Sequence, residues 1–131
     1  LAALGDFEGA LGRYRRALAL REKAYGPRHT EVASSLLDIA SAERSLGRYA
    51  PAEHTLRRSV EVFRATSGND SPRTATALLG LGEILALAGR PAEARPAFEE
   101  CLAIRRKALP QEDPAIAEVE AALAKLPAAS V

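Results

Sequence analysis

The side chains best suited to metal binding or nucleophilic catalysis in this chain are two histidines, His29 and His54, and the single cysteine, Cys101. A zinc site needs three or four such ligands at short spacing, and a nucleophilic cysteine needs a neighbouring base that lowers its pKa. The three residues lie far apart in the sequence, and no cluster of His, Cys and Asp residues has the spacing of metal ligands. We therefore interpret His29 as a loop residue before a helix, His54 as a partly exposed helix residue and Cys101 as a buried structural thiol.

Sequence motifs of catalysis and cofactor binding do not occur in the chain. It has no Gly-rich phosphate loop, no Gly-x-Ser-x-Gly nucleophile turn and no His-Glu-x-x-His zinc helix. The sequence therefore predicts no catalytic residue, no metal and no cofactor.

Basic side chains cluster at Arg15-Arg16, Arg57-Arg58 and Arg105-Arg106-Lys107, and glutamates lie near each cluster. The favoured interpretation is a solvated face crossed by ion pairs, and the alternative is a stripe for an acidic partner. With 18 basic and 17 acidic residues, the chain lacks the basic excess of nucleic-acid-binding and polybasic membrane-binding proteins. No apolar run approaches the roughly 20 residues needed to cross a bilayer. A single cysteine favours a reducing compartment, so we expect a cytoplasmic protein.

Similar residues recur at an interval of 42 positions, which indicates a tandem repeat. Gly5, Gly47 and Gly89 follow this interval, since 47 − 5 and 89 − 47 are both 42. Small residues align with small residues, and large apolar residues align with large apolar residues. The aligned columns include Ala10/Ala52/Ala94, Tyr14/Leu56/Phe98, Ala17/Ser59/Cys101, Leu20/Val62/Ile104 and Ala40/Gly82/Ala124.

Each repeat is predicted to form two antiparallel helices with a glycine turn between them. In the middle copy, apolar residues at helical spacing predict helices over residues 31–46 and 50–66, separated by Gly47. Ser71-Pro72 and Asp113-Pro114 are typical helix starts, with a capping side chain followed by proline. Thr30 is the predicted cap of the equivalent helix in the preceding copy.

The stretch LLGLGEILALAGRPAEARPAFEECLAI resembles the tetratricopeptide repeat. Leu81-Gly82, the turn glycine Gly89, the small residue Ala94, and Phe98 and Cys101 take that family's positions. The usual repeat has about 34 residues. The greater length here, together with GPRHTEV at residues 26–32, looks like the kinesin-light-chain type.

The resemblance implies an all-α, right-handed superhelix of about three helix hairpins and a C-terminal capping helix. The expected array covers residues 1–126, with repeats at about 1–29, 30–71 and 72–113, a capping helix at 114–126 and a tail at 127–131. The first helix of the first repeat is reduced to Leu1–Leu4. The chain therefore looks like a fragment of a longer array, and the exposed apolar surface predicts self-association.

In the resembled family, the first helices of the repeats line a groove that binds peptides or partner helices. Asp38, Glu83 and Glu118 would make this groove acidic, with apolar patches that favour a basic or amphipathic segment. The alternative is an unused face of merely soluble residues. By position, the predicted groove residues are Ser34, Leu37, Asp38, Ser41, Ser45, Thr76, Leu79, Gly80, Glu83, Leu87, Glu118, Ala121, Ala122 and Lys125.

The resemblance implies a non-enzymatic protein–protein interaction function. Two alternatives stay open. The chain could be the sensor or autoinhibitory arm of a larger bacterial signalling protein with an NTPase, kinase or caspase-like protease domain, since its Ala/Arg/Leu-rich, Lys-poor composition looks bacterial. It could also be a fragment of an enzyme whose active site lies upstream.

Overall fold

The chain is all-α in the computed structural model, which describes residues 2–127, with side chains from Gly5 onward. Within these residues there are six helices and no strand. Leu1 and residues 128–131, most of the predicted tail, lie outside the described residues. The helices are α1 (Ala2–Tyr25), α2 (Thr30–Ser45), α3 (Tyr49–Ser67), α4 (Pro72–Leu87), α5 (Pro91–Ala108) and α6 (Pro114–Ala124).

Glycine turns at Gly47 and Gly89 join α2 to α3 and α4 to α5, as predicted. The two glycines have φ angles of 75° and 78°, a left-handed conformation that a Cβ atom would strain. Beyond them, the amide of Arg48 donates to the carbonyl of Glu43 at 2.8 Å, and the amide of Arg90 donates to that of Leu85 at 2.9 Å. The same hydrogen-bonded turn therefore closes both complete hairpins.

The expected turn at Gly5 is not formed, because α1 continues through this residue as one 24-residue helix. A turn breaks helical hydrogen bonds, and packing between the two helices offsets that loss at Gly47 and Gly89. At Gly5 the described residues contain no other helix that packs across the turn position, and α1 keeps its helical hydrogen bonds through this residue. The first repeat therefore contributes one helix, α1, to the described structure.

Helix caps agree with the prediction at Ser71 and Asp113, whose side chains accept hydrogen bonds from the amides of Arg73 and Ala115. The cap of α2 is His29 rather than Thr30. His29 has an extended backbone, and its Nδ1 accepts the amide of Glu31 at 3.1 Å. The ring of Tyr25 stacks on the His29 ring at 4.4 Å.

The core follows the repeat columns. Ala52 and Ala94 are fully buried, which allows each hairpin's two helices to approach closely. Leu56, Val60 and Phe63, at helical spacing on α3, are buried as well. One apolar cluster runs from α2 to α6, and a smaller cluster joins α1 to α2. No helix in the described part of the chain is long and apolar enough to cross a membrane.

The second helices α1, α3 and α5 are joined by ion pairs at equivalent positions with opposite polarity. Arg58 of α3 bonds Glu22 of α1 at 2.7 Å. Arg64 of α3 bonds Glu100 of α5 at 2.9 Å. Residues 22 and 64 are 42 apart, as are 58 and 100. The repeat therefore preserves the position of this pair but not the sign of its charges.

Candidate functional site

The first helices of the repeats, α2, α4 and α6, form one surface with three depressions, which we call the groove. α2 contacts α4 directly, and both α4 and α6 line the largest depression. The second helices α3 and α5 pack behind the first helices and contribute parts of the floor.

The α2–α4 depression has a volume of about 220 Å³. Leucines from both helices make it apolar, and the buried Leu56 of α3 lies at its floor. Its lining residues are Leu37, Ala40, Ser41, Arg44, Leu56, Thr76, Leu79, Gly80, Glu83 and Ile84. A third depression of about 230 Å³ lies at the N-terminal ends of α2 and α4, lined by Thr30, Glu31, Ser34, Leu37, Phe63, Arg73 and Thr76.

The α4–α6 depression is much larger, at about 810 Å³. Its wall is mainly apolar, and the buried ring of Phe98 from α5 lies at its floor. Leu87, a large apolar side chain that is 47% exposed, stands at its edge. The lining residues are Arg44, Glu83, Ala86, Leu87, Gly89, Pro91, Phe98, Glu118, Ala121, Ala122, Lys125, Leu126 and Pro127.

Most of the predicted groove residues line these depressions. Asp38 and Ser45 lie on the exposed surface outside the three depressions, and Leu79 is largely buried. The predicted residues that do line the depressions are Ser34, Leu37, Ser41, Thr76, Leu79, Gly80, Glu83, Leu87, Glu118, Ala121, Ala122 and Lys125.

The carboxylates of the groove are paired with arginines, which reduces the acidity expected from the sequence. Glu83 accepts a hydrogen bond from Arg44 at 3.3 Å. Glu118 accepts one from Arg105 at 2.8 Å, and this arginine also donates to the carbonyl of Ala115. Lys125 adds a positive charge to the rim of the α4–α6 depression. The largest depression therefore has an apolar wall and a rim of mixed charge.

Sequence reasoning missed three of the residues that shape the groove: Arg44, Ala86 and Phe98. Arg44 and Ala86 share one repeat column, next to the predicted column of Ser45 and Leu87. Phe98 reaches the floor because Gly82 has no side chain; a Cβ added there would lie 2.5 Å from the ring. A comparison of positions 42 residues apart could have identified Arg44 and Ala86. The close approach of Phe98 to Gly82 depends on tertiary packing and could not be found in this way.

The candidate residues for catalysis do not come together. His29 caps α2, His54 is exposed on α3, and Cys101 is fully buried in α5. Burial raises the pKa of the Cys101 thiol to about 11, although Arg105 partly opposes this effect. Among residues 5–127, no three His, Cys, Asp or Glu side chains are grouped to hold a metal ion.

The sequence matches the family model of the tetratricopeptide repeat twice, over residues 1–65 and 52–107. It is 30% identical over 108 residues to the protein Kinesin Light Chain-Related 1 of Arabidopsis thaliana. This match covers 82% of the chain but only 17% of the Arabidopsis protein.

The fold is also similar to solved structures. The crystal structure of BtubC (BKLC) from P. vanneervenii superposes with a TM-score of 0.83 at 24% identity, covering 91% of this chain and 48% of that one. A structure of nearly identical TPR-like repeats, from a Podosopora anserina protein of the kinesin-light-chain type, gives a TM-score of 0.85 at 22% identity. That match covers 92% of this chain and 57% of the other.

Proposed function

As the chain belongs to the tetratricopeptide repeat family, with repeats of the kinesin-light-chain-like type, we propose that it is a non-enzymatic scaffold. In this proposal, the groove binds an amphipathic segment of a partner protein. Repeats of this family generally serve as protein–protein interaction scaffolds. The single cysteine supports a cytoplasmic location.

The α4–α6 depression is the observation that carries this proposal. A cavity of about 810 Å³ falls within the size range of sites that take a ligand group. Its wall is formed largely by Ala86, Leu87, Ala121, Ala122 and Leu126. Such a wall fits one or two apolar anchor side chains, which commonly supply most of the affinity for a bound helix or peptide.

The charges at the rim favour an amphipathic segment over one that is simply basic. Arg44 pairs with Glu83, and Arg105 pairs with Glu118, so neither carboxylate stands alone. Exposed Lys125 offers a contact for a carboxylate of the ligand. An apolar anchor flanked by charges of both signs therefore matches this depression better than a run of lysines.

A selection of helical peptides tests the proposal. Peptides displayed on phage are selected on the wild-type chain, and the binders are then measured on Ala121→Leu, which puts a larger side chain into the depression. We expect Ala121→Leu to weaken these binders by roughly tenfold or more, because a loss of 1.4 kcal/mol is already tenfold in affinity. The measurement is isothermal titration calorimetry.

The matched control is Ala103→Leu, which makes the same change at an exposed position of α5 outside the three depressions. It should leave the affinity unchanged. If the selected peptides bind Ala121→Leu and wild type equally, the α4–α6 depression is not the binding site and the proposal fails.

The alternative function, a sensing or autoinhibitory arm of a larger signalling protein, would use the same groove. This chain spans about half the length of the two solved relatives and a smaller share of the Arabidopsis protein. A longer natural protein containing these residues would separate the two functions. Its enzymatic activity should change on addition of the selected peptide if the array is a sensor, and should stay constant if it is a scaffold.

A further inference from the structure

The contact between a second helix and the repeat that follows it occurs twice among the described residues, and the two contacts differ in chemistry. We call the contact of α1 with α2 and α3 the α1 joint, and the contact of α3 with α4 and α5 the α3 joint. The 42-residue interval gives each residue of one joint a counterpart in the other. Both joints carry an ion pair between their second helices, so the difference lies in their interiors.

The interior of the α3 joint is apolar. Phe63 of α3 is 2% exposed and Leu85 of α4 is 1% exposed. Both belong to the one apolar cluster that runs from α2 to α6. A change in the angle between α3 and α4 would expose this surface to water, which costs free energy in proportion to the apolar area exposed.

The interior of the α1 joint contains an arginine at the position of Phe63. This residue, Arg21, has a side chain that is 37% exposed. Its guanidinium donates a hydrogen bond to the hydroxyl of Ser35 at 2.6 Å and lies 3.7 Å from the carboxylate of Glu31. The apolar part of the joint is a small separate cluster, which we call the Leu11 cluster: Leu11, Ile39 and Ala42, with Tyr14, Leu18 and Leu46 partly buried against them.

A buried carboxylate, Glu43, takes the position of Leu85 in the α1 joint. Its side chain is 4% exposed, accepts a hydrogen bond from Thr55 at 2.8 Å and lies 3.8 Å from Arg15 of α1. A carboxylate with so few partners is destabilised by the loss of its hydration. Movement of α1 would let water reach this group, whereas the same movement at the α3 joint would expose a leucine. Opening therefore costs less at the α1 joint.

We propose that the α1 joint is a hinge, at which α1 changes its angle to α2 and α3 while α2 to α5 move as one body. The Leu11 cluster is the pivot, and the ion pairs around it limit the angle. Salt screens exposed ion pairs but does not weaken the burial of apolar surface, so the range of angles should widen with ionic strength at this joint alone. The rotation between neighbouring repeats sets the curvature of a solenoid, so the hinge changes the shape of the array. This inference does not depend on a ligand in the groove.

Spin labels on the second helices test the hinge with matched pairs of positions. Ala19, Glu61 and Ala103 lie 42 residues apart and are all exposed. In a Cys101→Ala background, Ala19→Cys with Glu61→Cys spans the α1 joint, and Glu61→Cys with Ala103→Cys spans the α3 joint. Double electron–electron resonance measures both distance distributions at about 0.1 and 1 M NaCl, where the Debye length falls from about 10 to 3 Å.

We expect the population outside the main distance peak to rise roughly tenfold with salt across the α1 joint, because several exposed ion pairs weaken together. Across the α3 joint it should stay constant. Lys107→Gln is the control, since it removes the exposed ion pair of Lys107 with Asp70 across the α3 joint. It should leave both distributions unchanged.

The interior of the α3 joint can be copied into the α1 joint. Arg21→Phe with Ser35→Ala reproduces Phe63 and Ala77, and should remove the salt effect across the α1 joint. A second variant, Glu43→Leu with Thr55→Ala, reproduces Leu85 and Ala97 in the same way and should also narrow the distribution.

Equal widths and equal salt responses at the two joints would overturn the proposal, as would a salt effect that persists in both copied variants. Circular dichroism in the same buffers separates pivoting from unfolding. A loss of helicity that parallels the broadening would also overturn the hinge, because α1 would then unfold instead of changing its angle.

Discussion

The α2–α4 and α4–α6 depressions are built from the same repeat columns, yet their volumes are about 220 and 810 Å³. Leu37 and Leu79 line the smaller depression, whereas Ala121 takes their column in the larger one. Arg44 likewise has Ala86 in its column. Ala121 and Ala86 are smaller than the leucine and the arginine at the equivalent positions. They leave open space between α4 and α6, whereas the larger side chains fill the corresponding space between α2 and α4.

The residues that recur at every 42nd position determine the fold, whereas the positions at which one copy differs from the others determine the shape of the surface. Columns that stay small or stay apolar, such as Ala52 and Ala94, produce the hairpins and their stacking. Columns that change size or charge produce surfaces that differ between copies. A binding site in a repeat protein is therefore best sought where one copy departs from the others.

The largest expected difference between the two depressions concerns the glycines of α4 that contact their floors, Gly82 at Phe98 and Gly80 at Leu56. A Cβ at Gly82 would lie 2.5 Å from the Phe98 ring, whereas a Cβ at Gly80 would lie 3.0 Å from the end of the Leu56 side chain. We expect Gly82→Ala to lower the free energy of unfolding by about 2–3 kcal/mol, because the ring or α4 must move.

Gly80→Ala is the matched substitution behind the smaller depression. The Leu56 methyl group can move, and alanine favours the helix by about 1 kcal/mol over glycine, so we expect almost no net change. Urea denaturation followed by circular dichroism measures both variants. Equal destabilisation by the two substitutions would show that Phe98 is not held against α4 as described.

Removing Arg105 should open the larger depression while leaving the smaller one intact. Its guanidinium is buried between α5 and α6 and donates to Glu118 and to the carbonyl of Ala115. Arg105→Met keeps most of the volume but loses these bonds, and we expect a cost of about 1–2 kcal/mol. Hydrogen exchange of α6 amides should accelerate while that of α2 amides stays unchanged. Uniform acceleration along the chain would contradict a local role in holding α6.

Alkaline pH should lower the stability of the chain through Cys101, which lies in the α4–α5 hairpin behind the larger depression. Burial raises the pKa of Cys101 from its ordinary value of 9.0 to about 11. As pH rises above 9, the unfolded thiol loses its proton before the folded one does, so stability falls between about pH 9 and 11. The residue equivalent to Cys101 in the preceding repeat is Ser59, whose hydroxyl group does not titrate in this range.

The variant Cys101→Ala isolates this contribution, since Ala17 shows that the column accepts alanine. Its stability should fall less steeply than that of wild type over the same pH range. Parallel pH profiles of the two proteins in thermal denaturation would show that the thiol is not protected by burial.

Exchanging the charges of the ion pair between α3 and α5 should have the smallest effect. Arg64 lowers the pKa of Glu100 by a hydrogen bond, so stability from this pair is present above the ordinary pKa and is lost as pH falls through the lowered one. The single change Arg64→Glu should cost at most about 1 kcal/mol. Arg64→Glu combined with Glu100→Arg should restore stability, because the Glu22–Arg58 pair has that polarity. If the double variant does not regain the stability of wild type, the α1–α3 and α3–α5 ion pairs are not equivalent.

The sequence was sufficient to predict the helices and the turns at Gly47 and Gly89, because each depends on local spacing repeated at 42 residues. The same spacing places most of the predicted groove residues along the three depressions, and their part in binding stays a prediction. The prediction was wrong at Gly5, through which α1 continues without a break in the described structure. It was also wrong at Thr30, since the backbone at His29 has the extended conformation of a cap.

The charge at the rim of the groove and the shape of its floor could not be predicted from the aligned repeat positions alone. Arg44 and Glu83 are 39 residues apart, and their pairing depends on how α2 packs beside α4. The floor formed by Phe98 depends on its contact with Gly82 in another helix. Sequence spacing within one helix contains no information about such contacts between helices.

Methyl NMR would compare the two depressions most directly. The chain is labelled at the methyl groups of leucine and alanine, and a selected amphipathic peptide is added. We predict shifts at Leu87, Ala121, Ala122 and Leu126, with little change at Leu37. Shifts confined to Leu37 and Leu79 would contradict the assignment of the α4–α6 depression as the binding site.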